Sequence, residues 1–377
     1  MREKMTFTPT QKLYKTDSIL RRTLRVSYPV DSGRLILRTE NDWDEDIEPI
    51  STSPDGTTWT FELEADQPFL YFKPCLIDND GFHWSTGPNK LVLMEDADKR
   101  ISYPSFFSAA KGTFSELFEI PSKILNRTHR VRAYLPPGYN ENTLSTYAVA
   151  FMQDGQNLFF PEEAFMGNEW QVDETGDTLA AMSVIEDCVF VGIYSDNRMQ
   201  DYMRPGYEPY ARSLAEEIVP EIQRRLRVGN KRRHRSVWGS SLGGVVSFYS
   251  VWQHPDVFGA AVCMSSTFSH KDNLIERVLN EEPPDVGFYL DSGWPGDNYE
   301  VTLGMAMALV SRGWQYGNSL FHMAFPYAEH DEKAWAVRLH LPLQFLNGAV
   351  ARASRLDAPL LGEDPWARSA VAKTANG

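Results

Sequence analysis

Short alternating segments of hydrophobic and polar residues dominate the chain from about residue 16 to residue 112. The segments ILRRTLRVSYP, GRLILRTE, TWTFELEA and FLYFKPCLID follow one another, and runs such as SPDGTT and DNDG separate them. A period of two, interrupted by Gly, Asp and Pro, is typical of antiparallel strands joined by turns. We therefore predict that residues 1–112 form a small all-β domain, an immunoglobulin-like or carbohydrate-binding-module-like sandwich.

From about residue 117 the pattern changes to strand, loop and helix. Several apolar segments do not alternate, as expected for strands of a parallel sheet covered by helices on both faces. The predicted strands are 130–137, 147–153, 188–194, 234–238, 260–265, 286–292 and 320–326. Apolar residues recur with helical spacing in 213–227, 300–313 and 332–348. This pattern predicts a doubly wound, mostly parallel α/β domain over residues 113–348, followed by a mobile tail, 349–377.

Charge and composition exclude several classes of partner. The net charge is −14, from 37 Lys and Arg against 51 Asp and Glu, which is unfavourable for nucleic acid. No apolar run approaches the length of about 18 residues that a membrane span needs, and the first residues lack the apolar segment of a signal peptide. We therefore expect a cytoplasmic protein without nucleic-acid or membrane partners. Its three cysteines, Cys75, Cys188 and Cys263, are too few and too widely separated for a disulfide framework or a zinc site. Cys188 and Cys263 lie in apolar runs, which predicts buried thiols.

A cluster of small residues lies where a predicted strand meets a predicted helix. The segment VWGSSLGGVV contains Gly239-Ser240-Ser241-Leu242-Gly243, which is the pattern G-x-S-x-G. A sharp strand-to-helix turn of this kind raises the central hydroxyl above the sheet, and both flanking positions must be small. We therefore predict Ser241 as a nucleophile. Ser240 is the alternative serine, but glycines do not flank it at the required spacing.

A nucleophilic serine requires a base, and in this fold class the base follows it in the chain. His330 lies in the loop after the last predicted strand, where open α/β sheets collect their reactive groups. The other candidates fall within helices or a strand, or at their ends: His254, His270, His322 and His340. We therefore predict that His330 is the base.

The acid that orients the base is expected after the preceding strand. Asp297 lies in the loop and has the longer reach, whereas Asp291 at the strand end is the alternative, with a possible turn-capping role. Glu329 and Asp331 flank His330 and are expected to be solvated. Two N–H groups are expected to form the oxyanion hole, that of Leu242 and that of Gln156 in the loop after strand 147–153.

Six segments resemble, in the same order, those of the family described as "Putative esterase". They are MQDGQNLF, NEWQVDE, SDNRMQDY, VWGSSLGG, YLDSGWPGDNYE and YAEHDEKAW, and the resemblance covers about residues 117–348. The family includes enterochelin esterases, feruloyl esterases, S-formylglutathione hydrolases and mycolyltransferases. The resemblance implies an α/β-hydrolase fold, in which Ser241 and His330 act with an acid that Asp297 matches better than Asp291. It also implies that a pocket-lining loop contains Asn197, Arg198 and Tyr202.

The neighbouring loops complete the predicted substrate-binding set with Asp154, Asn157 and Trp294. The front part of the chain resembles the immunoglobulin-like domain that precedes the hydrolase domain in enterochelin esterases, and more weakly a starch-binding module. We expect Trp84 to be an interdomain core residue, with a sugar-stacking platform as the alternative. The basic run RRLRVGNKRRHR precedes the strand that leads to Ser241, so we expect it on the face opposite the site. This position does not favour a highly anionic siderophore.

Together these observations predict a serine esterase that acts on a small-molecule ester without metal or organic cofactor. The substrate is a siderophore trilactone or a feruloyl or acetyl ester of a carbohydrate. The alternatives are an acyltransferase of the same fold and a non-catalytic carbohydrate-binding protein, and a homodimer is left open.

Overall fold

The computed structural model of the protein describes Thr16 and residues 18–94 and 101–348. The predicted tail, 349–377, lies outside the described residues. Two compact units are present. The first comprises the described residues up to Ala110, with Pro137–Ser145 and Ala181–Ser183. The second comprises Lys111–Pro136, Thr146–Ala180 and the described residues from Val184 onward.

The first unit is built from two sheets. Its strands are β1 (Leu20–Ser27), β2 (Arg34–Thr39), β3 (Asp42–Ile47), β4 (Ser51–Thr52), β5 (Thr58–Ala65), β6 (Phe69–Asp78), β7 (Gly81–Trp84), β8 (Lys90–Leu93) and β9 (Ile101–Ser102). One sheet has the order β4-β5-β1-β9; the other has the order β3-β2-β6-β7, with β8 beside β6. All strand pairs are antiparallel except β1 with β9.

Alternation in the sequence explains how these sheets pack. In β5, Trp59, Phe61, Leu63 and Ala65 are buried and most of the intervening side chains are more exposed. Apolar side chains from β1, β2, β5, β6 and β8 share one hydrophobic core. Residues 18–94 and 101–110 contain no helix, in agreement with the sequence pattern. The immunoglobulin-like character of this unit stays a prediction.

The second unit contains one large mixed sheet. Its strands are β10 (Thr113–Phe114), β11 (Phe118–Ser122), β12 (Arg127–Leu135), β13 (Ala148–Gln153), β14 (Cys188–Ile193), β15 (Arg235–Ser240), β16 (Ala260–Met264), β17 (Gly287–Trp294) and β18 (Leu320–Pro326). The order is β10-β12-β14-β13-β15-β16-β17-β18, with β11 beside β12. Strands β13 to β18 are parallel, and β10, β11 and β12 add an antiparallel edge. All seven predicted strands are present.

Helices connect these strands. They are α1 (Val172–Ala181), α2 (Arg198–Asp201), α3 (Tyr207–Ser213), α4 (Val219–Arg225), α5 (Leu242–Gln253), α6 (Leu274–Asn280), α7 (Tyr299–Ser311), α8 (Glu332–Arg338) and α9 (His340–Asn347). The predicted helix 213–227 is part of a longer helical stretch, because a π-helical turn, Leu214–Ile218, joins α3 to α4. Pro220 lies in the first turn of α4 and has no N–H to donate, which favours this wider turn before it. The sequence pattern missed α1 and α2.

The central strands of the second unit's sheet are buried on both faces. Every residue of β13, β14 and β16 is buried, which explains why these segments read as continuous apolar runs. Helix α5 is buried over nearly its whole length. Cys188 and Cys263 are buried thiols, as predicted, and Cys75 is buried as well. Among the described residues, no helix combines the length and the apolar character needed to cross a bilayer.

Candidate active site

Ser241 occupies a strained turn at the carboxyl end of β15. Strand β15 ends at Ser240 and α5 begins at Leu242, and between them Ser241 has φ 54° and ψ −121°. This conformation is rare for a residue with a side chain. The Ser241 N–H donates to the carbonyl of Met264, the last residue of β16 (2.9 Å). The turn therefore lies at the edge of the sheet where the parallel strands end.

The two glycines of the pattern allow the turn to close. A Cβ at Gly239 would lie 2.4 Å from the backbone carbonyl carbon and oxygen of Gly243. Such a contact is too short for any side chain, so position 239 admits only glycine without a backbone shift. A Cβ at Gly243 would lie 3.2 Å from Oδ2 of Asp154. The start of α5 is thus close to the loop that follows β13.

The structure brings Asp297 and His330 together. Nδ1 of His330 lies 2.7 Å from Oδ1 of Asp297. The same carboxylate accepts three further hydrogen bonds, from the Ser265 hydroxyl and from the N–H groups of Gly293 and Asn298. The Asp297 side chain is fully buried, and that of His330 is 34% exposed. A carboxylate held by four donors has a fixed orientation toward the ring.

These hydrogen bonds keep Asp297 ionised. Burial acts to raise the pKa of Asp297, but the bonds from His330, Ser265, Gly293 and Asn298 outweigh it and lower the pKa to about 2. The ring of His330 packs edge-on against Trp335, with ring centroids 5.2 Å apart. Ionisation and packing therefore both favour one orientation of the imidazole.

Asp291 has a different partner. It lies within β17, which extends to Trp294, rather than at the strand end. Its buried carboxylate binds Arg338 at 3.0 Å and accepts a hydrogen bond from the Tyr289 hydroxyl at 3.0 Å. Burial raises the pKa of Asp291, and Arg338 opposes this shift. The structure therefore pairs Asp291 with Arg338 and pairs Asp297 with His330.

The loop after β13 approaches the neighbouring strand very closely. Asp154 has φ 55°, and the next three residues form a 3₁₀ turn, Gly155–Asn157. A Cβ at Gly155 would lie 2.6 Å from the backbone carbon of Gly192 in β14. The Gln156 side chain accepts a hydrogen bond from the Ser195 N–H (3.2 Å). Only glycine at position 155 allows this loop to lie flat against β14.

A polar network links this loop to the segment after His330. Arg198 Nε lies 3.0 Å from Oδ1 of Asp154, and Nδ2 of Asn157 donates to Glu332 at 3.3 Å. Burial raises the pKa of Asp154, opposed by Arg198, and burial also raises the pKa of Glu332. Sequence reasoning missed Glu332, although it lies only two residues after His330 at the start of α8.

The six residues predicted to contact substrate differ in exposure. Trp294 is 48% exposed, Asn197 is exposed and caps α2, and the Arg198 side chain is 42% exposed. Asp154 and Asn157 are buried, and Tyr202 is fully buried with its hydroxyl accepting the Asp154 N–H (3.3 Å). In this structure Tyr202 contacts the loop, and its side chain presents no exposed surface.

Several other sequence-selected residues have identified surroundings. Glu329 is exposed, and Asp331 caps α8 by accepting the Ala334 N–H at 2.8 Å. The basic run 224–235 ends at Arg235, the first residue of β15, and thus lies at the end of the strand opposite Ser241. Trp84 is 40% exposed and contacts Trp43, Phe82 and Arg38 of its own unit.

Within residues 18–94 and 101–348, no group of three or more His, Cys, Asp or Glu side chains is arranged to hold a metal ion.

The largely parallel sheet and the helices that connect its strands give the second unit an α/β fold. The profile of the "Putative esterase" family matches residues 122–345, more than half of the chain. The chain belongs to that family. Its resemblance was recognisable from the six sequence segments, and the family match confirms it.

Individual relatives are more distant. Over 183 residues the chain is 24% identical to the uncharacterized protein YbbA of Bacillus subtilis (strain 168), a match that covers 45% of this chain and 65% of YbbA. A ferulic acid esterase structure has a TM-score of 0.53 at 21% identity, covering 63% of this chain and 98% of that chain. An enterobactin esterase of Shigella flexneri, solved in the presence of enterobactin, has a TM-score of 0.53 at 15% identity, covering 89% and 94%. At these levels of sequence identity, the likeness shows that both structures share a fold with this chain.

Proposed function

We propose that this protein is a serine esterase that hydrolyses carboxylic esters through an acyl-enzyme intermediate. The observation that carries the proposal is the 2.7 Å hydrogen bond between His330 Nδ1 and Asp297 Oδ1. It occurs in a chain whose Ser241 holds φ 54° between a strand and a helix. A base oriented by a buried carboxylate and a serine on a strained turn are the parts that acyl transfer requires.

Hydrogen bonding assigns the tautomer of the base. An ionised Asp297 only accepts hydrogen bonds, so the His330 nitrogen facing it, Nδ1, carries the proton. Nε2 of His330 is then the unprotonated nitrogen that accepts the Ser241 proton as the hydroxyl attacks the ester carbonyl. The resulting imidazolium is stabilised by the Asp297 carboxylate and then donates its proton to the departing alcohol.

The proposed oxyanion hole consists of the N–H groups of Gln156 and Leu242. The contact between position 243 and Asp154 supports this assignment, because it brings the loop after β13 to the start of α5. The N-terminus of α5 adds its positive dipole at the same place. Water, deprotonated by His330, then attacks the acyl group on Ser241 and releases the acid.

For the substrate we propose a feruloyl or acetyl ester of a carbohydrate rather than a ferric siderophore trilactone. Arg198 is the cation that the predicted binding set contributes, and it is already paired with the buried Asp154. The basic run lies at the far end of β15. A highly anionic complex therefore meets little uncompensated positive charge here. Assays of feruloyl, acetyl-sugar, trilactone and short aryl esters with the full chain test this choice.

The nucleophile is tested by comparing Ser241→Ala with Ser240→Ala. Ser240 is the adjacent serine, buried in β15, and is a matched control. We expect Ser241→Ala to lose hydrolysis of p-nitrophenyl acetate and labelling by a fluorophosphonate, with its thermal midpoint unchanged. Ser240→Ala should retain both. Full turnover by Ser241→Ala would refute the proposal.

Fluorophosphonate labelling and the ester assay also distinguish the two alternative functions. A non-catalytic carbohydrate-binding protein takes no fluorophosphonate label. An acyltransferase takes the label but forms transesterified product when alcohols or sugars are added to the ester assay.

A further inference from the structure

Behind Asp297 lies a second set of buried charges that the proposed mechanism leaves unused. The side chain of Arg338 is 2% exposed, and those of Asp291 and Asp297 are 0% exposed. Arg338 Nη2 lies 3.0 Å from Oδ1 of Asp291 and 3.9 Å from Oδ2 of Asp297. Two carboxylates therefore share one guanidinium inside the protein.

Ser265 connects the guanidinium to Asp297. Its hydroxyl lies 2.7 Å from Arg338 Nη2, 3.0 Å from Trp335 Nε1 and 2.5 Å from Asp297 Oδ2. The guanidinium and indole N–H groups only donate, so the Ser265 oxygen accepts from both. Its single proton then has to point at Asp297. The orientation of this hydroxyl is thus fixed by its neighbours, and with it one of the four bonds that hold Asp297.

The backbone strengthens the connection. The Ser265 N–H donates to the carbonyl of Asp291 (2.8 Å), and the Ser265 carbonyl accepts from Asn298 Nδ2 (2.7 Å). Ser265 itself holds φ 45°. A non-glycine residue in the left-handed region is maintained only where its surroundings define it closely. Ser265 is therefore held rigidly between the two acids.

The charges of this set balance only when His330 is protonated. Asp291 and Asp297 contribute two negative charges and Arg338 one positive charge, which leaves one negative charge facing the ring. An imidazolium at His330 completes a neutral group of four. Without Asp291, the charge of Arg338 would be directed at Asp297 and would weaken its attraction for the imidazolium, since interactions inside a protein are poorly screened.

We propose that Asp291, Arg338 and Ser265 are positioning residues for the Asp297–His330 pair, fixing the Asp297 carboxylate and leaving it a single uncompensated charge. This role rests on the proposed esterase function. Asp291, considered from the sequence as an alternative catalytic acid, thereby acts through Arg338 on the catalytic acid Asp297.

Other ionisable groups near the pair belong to separate contacts. Asp331 caps α8. Glu332 binds Asn157, and Asp154 binds Arg198. From β17, Tyr289 donates its hydroxyl to Asp291 itself, and the side-chain amide oxygen in the Asp291→Asn variant can accept the same bond. Substitutions within the proposed set therefore leave these neighbours in place.

The test is the pH dependence of three variants, measured as kcat/KM and as the rate of fluorophosphonate labelling. In Asp291→Asn the positive charge of Arg338 is no longer balanced by Asp291. The acidic limb of the pH profile of kcat/KM should therefore move to lower pH by about one unit, and kcat should fall. The double variant Asp291→Asn/Arg338→Gln restores a single negative charge at Asp297. Its acid limb should return to the wild-type position.

Ser265→Ala provides an independent measurement should Asp291→Asn fail to fold. It removes one donor from Asp297 and leaves the Asp291–Arg338 pair intact, so the carboxylate attracts the imidazolium more strongly. The acid limb should then move to higher pH, opposite to Asp291→Asn.

A folded Asp291→Asn variant, checked by its thermal midpoint, with an unmoved acid limb overturns the inference. So does a double variant that is shifted as far as the single one, and so does an unmoved limb in Ser265→Ala. A purely structural role would lower kcat without these opposite shifts. Failure of the esterase proposal is distinguished by the wild type, which would then take no label.

Discussion

Oδ1 of Asp297 accepts a 2.7 Å hydrogen bond from Nδ1 of His330, across 33 residues of sequence. Asp297 follows β17, and His330 follows β18, its neighbour in the sheet. The proposed acid and the proposed base thus follow the carboxyl ends of adjacent parallel strands. The consequences of this pairing for activity and stability are measurable.

The first prediction separates the two candidate acids. Asp297→Asn should lower kcat by about 10⁴-fold, because an amide no longer enforces the required tautomer of His330. Asp291→Asn, assayed at its own optimal pH, should lose less than about tenfold, since its carboxylate touches Arg338 and not the ring. The measurement is kcat for aryl acetate hydrolysis. A greater loss in Asp291→Asn reverses the assignment.

The second prediction concerns acid stability. The pKa of Asp297 is lowered from 3.8 to about 2 in the folded protein, which contributes about 2 kcal/mol to stability at neutral pH. A depressed carboxyl pKa stabilises the fold above the unfolded value, and this contribution is lost as pH falls from about 4 to about 2. Urea unfolding should therefore show a gap between wild type and Asp297→Asn that is large near pH 6 and small near pH 2.5. A difference in unfolding free energy between the two proteins that does not change with pH would contradict this prediction.

The third prediction tests the loop after β13. Gly155→Ala should displace this loop, because the new Cβ meets the Gly192 backbone at 2.6 Å. Loss of one oxyanion donor lowers kcat by about 10²- to 10³-fold. Gln156→Ala is the control, since it keeps the backbone N–H and removes only the side-chain bond to Ser195. Equal losses in both variants would argue that the side chain, not the N–H, stabilises the oxyanion.

The fourth prediction compares the two glycines of the serine turn. Gly239→Ala should destabilise the protein by about 2–3 kcal/mol, because its Cβ would lie 2.4 Å from backbone atoms of Gly243. Gly243→Ala should cost less, since its nearest contact is a side-chain oxygen at 3.2 Å. The measurement is the free energy of unfolding of each variant. A greater loss of stability in Gly243→Ala than in Gly239→Ala would contradict the geometry described for the serine turn.

The fifth prediction concerns the ion pair between Arg198 and Asp154, the first residue of the loop after β13. Arg198→Leu leaves the Asp154 carboxylate buried without its cation, at a cost of about 2 kcal/mol near neutral pH. Burial raises the pKa of Asp154, so protonation at lower pH removes the unpaired charge. The difference in unfolding free energy between wild type and Arg198→Leu should therefore shrink as pH falls. A difference that grows toward low pH disagrees with this origin.

Local patterns in the sequence predicted seven of the nine strands in the sheet of the second unit and missed β10 and β11. The apolar runs of β13, β14 and β16 are continuous because helices cover both faces, and the alternation in β5 reflects one buried face. Gly239, two residues before Ser241, marks a close backbone approach that no other residue permits without a backbone shift. Such features depend on neighbours a few residues apart, so they are readable without knowledge of the fold.

Contacts between residues that are far apart in the sequence could not be predicted in this way. Asp291 lies within β17 and Asp297 follows it, and the sequence favoured Asp297 as the acid while keeping Asp291 as the alternative. Arg338, 47 residues after Asp291 in the chain, binds one of them, and no periodicity indicates that contact. Tyr202 matched a pocket-lining segment, yet it is fully buried because its hydroxyl reaches back to Asp154.

His330 follows β18, which is the edge strand of the sheet, so its proposed role depends on the stability of that edge. Strand β18 ends the strand order and is only partly buried, and beyond it the Tyr327 N–H binds the Trp294 carbonyl. Strand β15, which leads to Ser241, is central and buried. Fraying of this outer strand therefore carries the imidazole away while the serine turn survives. In mild denaturant, inactivation should precede the loss of secondary structure.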